Sequence, residues 1–389
     1  MSITTPEGFV AAGLASGIKV SGALDLALVA TEGGVAVPTA ATFTTNLAAA
    51  APVQVSRAHL TANGGLTAGV VVNSGNANAA TGARGRADAT TMCELVAAGL
   101  DVPVQHVLVC STGLIGITLP MQPVTDGIPA LVASRSASAG SARDAAIGIL
   151  TTDSGSKEVL IENPTFRVAG MAKGAGMLAP DMATMLAFLT TDAAVDPAPL
   201  ADLLRIAVRD SFNAMTVDGC TSTNDTVVLM ASGRAGPVDP AEVGDAVTEA
   251  CSTLAGQMLA DAEGASKIVQ VRVTGARSDG EAHVAARKVA DSLLVKCSLN
   301  GEDPYWGRVA SDLGSAGVDF EMDRLAIAYG GVTVCRDGIA FDHDAGALAS
   351  HLAGALIDIH CHLGLADGNG VVMGVDLGHG YIDENRTTS

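Results

Sequence analysis

The sequence predicts an α+β fold built from mixed α/β layers, and three observations support this. Apolar runs typical of buried strands alternate with loops and with segments of helical spacing. Hydrophobic residues make up 48% of the chain but aromatic residues only 3%, so the core must consist mainly of Ala, Val, Leu and Gly. At 389 residues the chain is too long for one small domain. We therefore expect two or three closely packed substructures.

Two buried strands are predicted to end in polar loops. The first covers residues 69–73, leads into a loop over 73–82 and is followed by a helix over 86–99. The second covers residues 105–110 and opens into Ser111, Thr112 and Gly113. This order of strand, loop and helix is the basis of the layered prediction.

The rest of the chain continues the alternation. A hairpin over residues 157–172 turns at 162–164 and leads to Lys173. Asp196 and Pro197 predict the start of a helix, and its apolar face contains Leu200, Leu203, Leu204, Ala207 and Val208.

A smaller C-terminal α/β part is predicted over residues 241–389. Gly236 to Pro240 interrupts the pattern, so we place a soft boundary near residue 240. Beyond it, a second amphipathic helix has one face formed by Ala286, Val289, Ala290 and Leu293. From Arg324 on, we expect short strands separated by Gly, Asp and His turns.

The net charge, the hydrophobic segments and the cysteines limit which kinds of partner and location we expect for this protein. With 22 basic and 41 acidic residues the chain carries −19 at pH 7, which argues against nucleic acid or anionic membranes as partners. The start lacks the pattern of a signal peptide, and no run of about 18 uncharged apolar residues occurs. The seven cysteines are scattered and form no Cys-x-x-Cys pair, which predicts reduced thiols, mostly in the core. We expect a cytoplasmic protein without a membrane span.

The most informative stretch runs from Lys173 to Asp192. A loop with glycine and proline leads to Thr184, and an apolar run typical of a strand follows. If the chain were cut before Thr184, the new α-amino group, which titrates near neutrality, could act as the base for the adjacent hydroxyl. Alternatively, Thr184 is one more β-branched residue entering a strand.

Several other residues could serve such a nucleophile. Thr112 and Gly113 could donate to one oxyanion, where losing a donor costs about 2.7–4 kcal/mol of barrier, or they could form an ordinary turn. Lys173 could neutralise a substrate carboxylate or lie solvated in a loop. Thr151, with Thr152 and Asp153, could offer hydroxyls to a ligand or cap a turn. Glu263 follows a predicted helix end, where the dipole disfavours it, and could pair with a cationic substrate.

Metal and phosphate sites are weakly indicated. His360 and His362 would share one face of a strand, with Cys361 on the other face, but no third ligand has matching spacing. Residues 13–19 do not fit the P-loop, and Gly368-Asn369-Gly370 lacks the third glycine of a dinucleotide site. We predict no metal and no bound cofactor.

Eight motifs in fixed order, spanning essentially the whole chain, resemble the ornithine acetyltransferase (glutamate N-acetyltransferase) family of arginine biosynthesis. They lie at residues 51–53, 73–78, 110–116, 151–153, 173–184, 221–226, 261–264 and 303–308. The resemblance implies a self-cleaving αββα sandwich of the N-terminal-nucleophile type, related to self-cleaving aminopeptidases. It also implies cleavage between Ala183 and Thr184, giving an α chain of 1–183 and a β chain of 184–389 assembled as a heterotetramer.

The resemblance further implies a ping-pong cycle in which Thr184 takes an acetyl group from N-acetylornithine and passes it to glutamate. It assigns Thr112 and Gly113 to the oxyanion hole. It assigns substrate binding to Thr151, Lys173, Thr184, Glu263, Asn385 and Ser389. The C-terminal ending is shorter than is usual in the family, which bears on Ser389. Acetyl-CoA is a further candidate donor, and no residue decides for or against it.

Two rival functions remain at this point. A self-cleaving aminopeptidase of the related fold would share the terminal nucleophile but pass the acyl group to water. A non-catalytic relative would bind an acetylated amino acid as a sensor, without needing Thr184.

Overall fold

The computed structural model describes residues 2–177 and 185–386, which divide into two compact units. The first unit comprises residues 2–213 with Cys220–Met258, and the second comprises Ala214–Gly219 with the residues from Leu259 on. The division therefore falls near the end of a long helix that begins at Pro240. The chain boundary at 183/184 stays a prediction.

The first unit contains ten strands and six helices among its described residues. The strands are β1 Phe9–Leu14, β2 Leu26–Thr31, β3 Val37–Phe43, β4 Leu66–Thr67, β5 Gly69–Asn76, β6 Val107–Leu114, β7 Lys157–Glu162, β8 Arg167–Lys173, β9 Leu186–Ala194 and β10 Thr226–Pro237. The helices are α1 Ala51–Ala62, α2 Gly82–Leu100, α3 Met121–Ser134, α4 Ala139–Gly148, α5 Pro197–Asp210 and α6 Pro240–Ala260.

These strands form two sheets. One has the order β1-β2-β5-β6, with β5 and β6 parallel, and the other has the order β4-β3-β10-β9-β8-β7, with β9 and β10 parallel. Apolar side chains of both sheets, such as Val72, Leu108, Phe188 and Val228, share one buried cluster. The two sheets therefore pack face to face.

Helices cover the outer faces of both sheets. Residues of α2 and α3 join the outer face of the first sheet in a second cluster. On the other side, α5 packs on β3, and Gln257 of α6 donates to the carbonyl of Glu158 on β7. The order of layers is helix, sheet, sheet, helix, which confirms the αββα prediction. Buried Ala and Val dominate this core, as the composition predicts.

The second unit is a smaller α/β structure. Its strands are β11 Ile268–Ala276, β12 Ala326–Tyr329, β13 Val332–Arg336, β14 Ile339–Ala340, β15 Leu356–His362 and β16 Gly368–Val375, and they form one sheet in the order β14-β13-β12-β15-β11-β16. Its helices are α7 Asp279–Ala290, α8 Leu293–Asn300, α9 Trp306–Gly314, α10 Ala345–Leu352 and α11 His379–Glu384. The short strands predicted after Arg324 are confirmed.

Most local predictions agree with these bounds, but several ends differ. The strands expected to end at residues 73 and 110 continue to Asn76 and Leu114. The strand expected from residue 105 begins at Val107, after a short 3-10 turn. Helix α5 begins at Pro197 as predicted, but the Asp196 side chain makes no capping hydrogen bond. Leu293 does not belong to the buried face of the second amphipathic helix and is 64% exposed. The reason is that α7 ends at Ala290 and a new helix begins at Leu293, capped by the Ser292 hydroxyl, which accepts from the Val295 amide.

No helix in the described ranges is long and apolar enough to cross a bilayer. All seven cysteines are free, and five of them are buried. The prediction of reduced, mostly core cysteines is confirmed.

Candidate active site

Three predicted site residues, Ala183, Thr184 and Ser389, lie outside the described residues. The described chain resumes at Met185, immediately before β9. The candidate site is therefore built from the elements that meet at the start of β9 and from the end of β6.

Thr112 and Gly113 lie near the end of β6, in a geometry suited to binding an oxygen. The Thr112 side chain is buried, and its Oγ1 has no hydrogen-bond partner among residues 2–177 and 185–386. Leaving a buried hydroxyl unpaired costs about 1–3 kcal/mol, so such a group in a native protein calls for an explanation. An oxyanion that accepts from this hydroxyl would supply the missing partner.

Gly113 is required by a close approach of the backbone. Its φ is +133°, and a Cβ at this position would lie 2.3 Å from the carbonyl carbon of Gly75 on β5. The pairing of β5 and β6 is irregular here, with Asn76 opposite both Thr112 and Leu114. No other residue type fits this turn without moving β5.

Buried asparagines fix this turn from two sides. Asn73 accepts a hydrogen bond from the hydroxyl of Ser111 at 2.6 Å. The Asn224 amide donates to the carbonyls of Ala77 and Ser111, at 2.7 and 2.9 Å. These bonds hold the end of β6 to the loop before β10.

That loop also reaches the start of β9. Asp225 follows Asn224, and its Oδ1 accepts the backbone N–H of Met185 at 3.0 Å. Its Oδ2 is buried without a hydrogen-bond partner in the described part of the chain. Burial raises the pKa of Asp225 well above its ordinary value, against the opposing effect of the Met185 bond. Hydrogen bonds of Asn224 and Asp225 therefore connect Ser111, the residue before Thr112, with Met185, the residue after Thr184.

Lys173 ends β8 directly beside the start of β9, where it pairs with Leu186. The lysine side chain is only 3% exposed, and its ammonium donates to the Thr151 hydroxyl at 2.6 Å. The hairpin of β7 and β8, predicted from the sequence, is what brings Lys173 to this position. The structure therefore joins two predicted substrate-binding residues.

Asp153 organises the charges around this pair. Its side chain is fully buried, 2.7 Å from the Lys157 ammonium and 3.7 Å from that of Lys173. Burial alone would raise the pKa of Asp153, but the two lysines and the Gly174 amide outweigh it and hold the pKa at about 2. The carboxylate is therefore ionised at any physiological pH.

A third lysine stands close to the same cluster. Lys19 donates to the carbonyls of Leu24 and Leu150, at 2.8 and 2.7 Å. Burial lowers the pKa of Lys19, and the charge of Lys173 lowers it further. The amino-terminal segment thus fixes the residue before Thr151 and adds positive charge near it.

Glu263 and Asn385 meet within the second unit. The Asn385 amide donates to Glu263 Oε2 at 2.9 Å and to the carbonyl of Tyr381 at 3.0 Å. Gly264 has φ +62° and packs so closely that a Cβ would lie 2.0 Å from the Tyr381 backbone nitrogen. These two predicted residues form one carboxylate and amide pair after the end of α6.

His360 and His362 share one face of β15, and Cys361 is buried on the other, as predicted. The Thr274 hydroxyl lies 2.8 Å from His360 Nε2 and 3.0 Å from His362 Nδ1. Within the described ranges no group of three His, Cys, Asp or Glu side chains is arranged to hold a metal ion. The two histidines are satisfied by a neighbouring hydroxyl.

The sequence reasoning missed the roles of Asp153, Lys157, Asn224 and Asp225. The spacing of Asp153 and Lys157 gave no usable signal, because charge pairs four residues apart are favoured on helices and Lys157 begins a strand. Asn224 and Asp225 lay within a motif used for the resemblance, but their contacts depend on strands far apart in sequence.

The chain matches the ArgJ family model over residues 10–387. It is 46% identical to the arginine biosynthesis bifunctional protein ArgJ of Mycolicibacterium paratuberculosis over 395 residues, covering all of this chain and 96% of the relative. It is 45% identical to the protein of the same name from Thermobifida fusca, with complete coverage of both chains.

Two of the solved structures that are similar to this chain each cover about half of it. The crystal structure of the arginine biosynthesis bifunctional protein argJ from Bacillus halodurans is 34% identical, covering 50% of this chain and 95% of its own, with a TM-score of 0.49. The ornithine acetyltransferase from Mycobacterium tuberculosis, complexed with ornithine, is 44% identical, covering 46% of this chain and 94% of its own, with a TM-score of 0.44.

Proposed function

The chain belongs to the ArgJ family, and from this premise we propose that it transfers an acetyl group from N2-acetylornithine to glutamate. The observation that carries the proposal is the buried hydroxyl of Thr112 beside Gly113, which has no hydrogen-bond partner within residues 2–177 and 185–386. Acyl transfer passes through a tetrahedral oxyanion, and preorganised donors of this kind lower its energy. The products would be ornithine and N-acetylglutamate.

The proposed cycle has two half-reactions through Thr184. Its hydroxyl attacks the acetyl carbonyl, the amide C–N bond breaks, and ornithine leaves with the proton. The amino group of glutamate then attacks the acetyl ester and restores the hydroxyl. The base is the α-amino group that appears when Thr184 Oγ attacks the Ala183 carbonyl and water opens the resulting ester.

The charges of the site suit amino acid substrates. Both substrates carry a carboxylate, which a protein of charge −19 repels at long range, so a local cation is needed. We assign that role to Lys173 with Thr151, whose hydrogen bond places an ammonium and a hydroxyl together. We assign Glu263 and Asn385 to the ornithine ammonium. We also propose Ser389 as a substrate contact.

Sheet topology supports lasting assembly of the two cleavage products. Strands β9 and β10 would belong to the β chain, whereas β3 and β8 on either side would belong to the α chain. Separating the chains would break both the β3–β10 and the β8–β9 pairings and expose their core. We propose a heterotetramer of two α and two β chains, acting in the cytoplasm.

The first test is intact mass with N-terminal sequencing of the purified protein. We expect two fragments that sum to the full chain, one of which begins at Thr184. A single uncut chain with full transferase activity would contradict the mechanism.

The second test follows acetyl-labelled N-acetylornithine with glutamate as acceptor. We expect labelled N-acetylglutamate from the wild type, none from Thr184→Ala, and a loss of about 10²–10³-fold in kcat from Thr112→Val, which removes one oxyanion donor. Release of the first residue of a peptide instead would favour the aminopeptidase. Intact metabolic function in Thr184→Ala would favour the sensor. Acetyl-CoA is supplied in a parallel reaction as the second proposed donor.

A further inference from the structure

The two oxygens of Asp153 have different partners. Oδ1 accepts from the Lys157 ammonium at 2.7 Å and from the Gly174 amide at 2.6 Å. Oδ2 accepts from the Thr151 amide at 3.2 Å and lies 3.7 Å from the Lys173 ammonium. One oxygen thus faces the hairpin and the other faces the pair assigned to the substrate.

We propose that Asp153 is a positioning residue for substrate carboxylates: it fixes the Lys173 ammonium at the Thr151 hydroxyl and keeps it positively charged. This inference rests on the proposed function, because it concerns the step in which Lys173 binds a carboxylate. Nothing requires Asp153 to touch the substrate.

The physical reason is that a buried ammonium needs a nearby negative charge. Burial disfavours the charged form of a lysine, and Lys19 adds like charge beside Lys173. Asp153 is the carboxylate in contact with both Lys157 and Lys173.

The same contacts also fix orientation. Asp153 holds the backbone of Thr151 through Oδ2 and the residue after Lys173 through Oδ1. Asp153 therefore fixes the backbone that carries the Thr151 hydroxyl and the backbone next to the Lys173 ammonium. Preorganised groups of this kind bind without the cost of ordering themselves on each turnover.

The alternative is that Asp153 only stabilises the hairpin through Lys157. Two variants separate these roles: Asp153→Asn, and the double variant Asp153→Asn with Lys157→Met. The single change removes the Asp153 carboxylate from the buried Lys157 ammonium, whereas the double change removes that ammonium as well. The double variant should therefore recover most of the melting temperature lost in the single one.

The kinetic readout uses enzyme whose cleavage has been verified by mass. In both variants we expect the KM for N-acetylornithine and for glutamate to rise at least about tenfold, as expected when a charge-assisted hydrogen bond is lost. We expect kcat to change less than KM. The alkaline limb of kcat/KM should move to lower pH by about one unit or more, because Lys173 loses the charge that favours its protonated form.

Recovery of KM and of the pH limb together with stability in the double variant would overturn the proposal. If the wild type itself transfers no acetyl group, the proposed function fails, and Asp153 is then tested by NMR titration of isotope-labelled lysine. The Lys173 signal, assigned with Lys173→Met, should titrate at lower pH in Asp153→Asn than in the wild type. An unchanged midpoint would overturn the role of Asp153.

Discussion

Two lysines, one in each unit, are equally buried but have different surroundings. Lys173 and Lys296 are each 2% exposed. The ammonium of Lys173 meets a hydroxyl and a carboxylate, whereas that of Lys296 donates to the backbone carbonyls of Val217 and Val375, at 2.9 and 2.8 Å. Burial lowers the pKa of Lys296 to about 8 although three acidic residues oppose the shift.

The difference shows that burial alone does not identify a functional lysine. Lys296 donates to two buried carbonyls, one in residues 214–219 and one at the end of β16, and so holds these two segments together. Lys173 instead joins two polar side chains beside the start of β9. The chemistry of the partners separates a structural lysine from one suited to binding a ligand.

The largest expected effect is the loss of transfer in Lys173→Met. Removing one partner of a buried charge pair costs about 2–5 kcal/mol, so kcat/KM should fall by about 10²–10³-fold. Steady-state acetyl transfer measures this, with Lys288→Met as the control because Lys288 is exposed on α7. If Lys173→Met kept the kcat/KM of the wild type, Lys173 would not bind substrate.

Lys296→Met should show the opposite pattern. It removes the hydrogen bonds that two buried carbonyls receive from the ammonium, at about 1–3 kcal/mol each, so we expect a loss of at least about 2 kcal/mol of unfolding free energy. Urea denaturation measures it, again against Lys288→Met. A drop in kcat/KM as large as that of Lys173→Met, without a loss of stability, would contradict the structural assignment.

Asp153, beside Lys173, and Lys296 should change the unfolding free energy over different pH ranges. The folded pKa of Asp153 is about 2, below its ordinary 3.8. Its contribution, about 2 kcal/mol, should therefore be present above pH 4 and be lost as the pH falls towards 2. Burial lowers the pKa of Lys296 to about 8 from 10.5, so the protonated side chain stabilises the fold less than the neutral amine would. Stability should therefore rise between pH 8 and 10.5, where the folded state has released this proton and the unfolded state has not.

Denaturation curves at each pH, compared with Asp153→Asn and Lys296→Met, isolate these two contributions. The acid slope should flatten only in the first variant and the alkaline slope only in the second. Equal acid slopes in the wild type and Asp153→Asn would show that the lysines do not hold Asp153 ionised.

Local patterns predicted much of the fold, because strand and helix periodicity are properties of short segments. The hairpin of β7 and β8 was predicted from one turn and two apolar arms, and it places Lys173 correctly. The prediction that Leu293 belongs to the buried face of the second amphipathic helix was wrong. The apolar residues keep helical spacing across Ser292, but the backbone starts a new helix there. Periodicity alone cannot detect that break.

The candidate site was predictable only in part. Thr112, Gly113 and Lys173 came from motifs that resemble a family, and their roles stay predictions. Asp153 looked like a turn residue, since its partner Lys173 arrives through a strand twenty residues later. The contact of Asp225 with Met185 likewise depends on the parallel register of β9 and β10, which no local pattern encodes.

The smallest expected effect concerns an exposed ion pair, which sets the scale for the buried ones. Arg205 lies 3.3 Å from Asp202 on α5, and their side chains are 64% and 72% exposed. Water screens such a pair, so Arg205→Gln should change the unfolding free energy by at most about 0.5 kcal/mol and leave acetyl transfer unchanged. Urea denaturation at low and high salt checks this, with Asp202→Asn as the matched variant. A loss of unfolding free energy close to that of Lys296→Met would show that burial is not what makes polar contacts strong in this protein. The contrast between the two buried lysines would then have no physical basis.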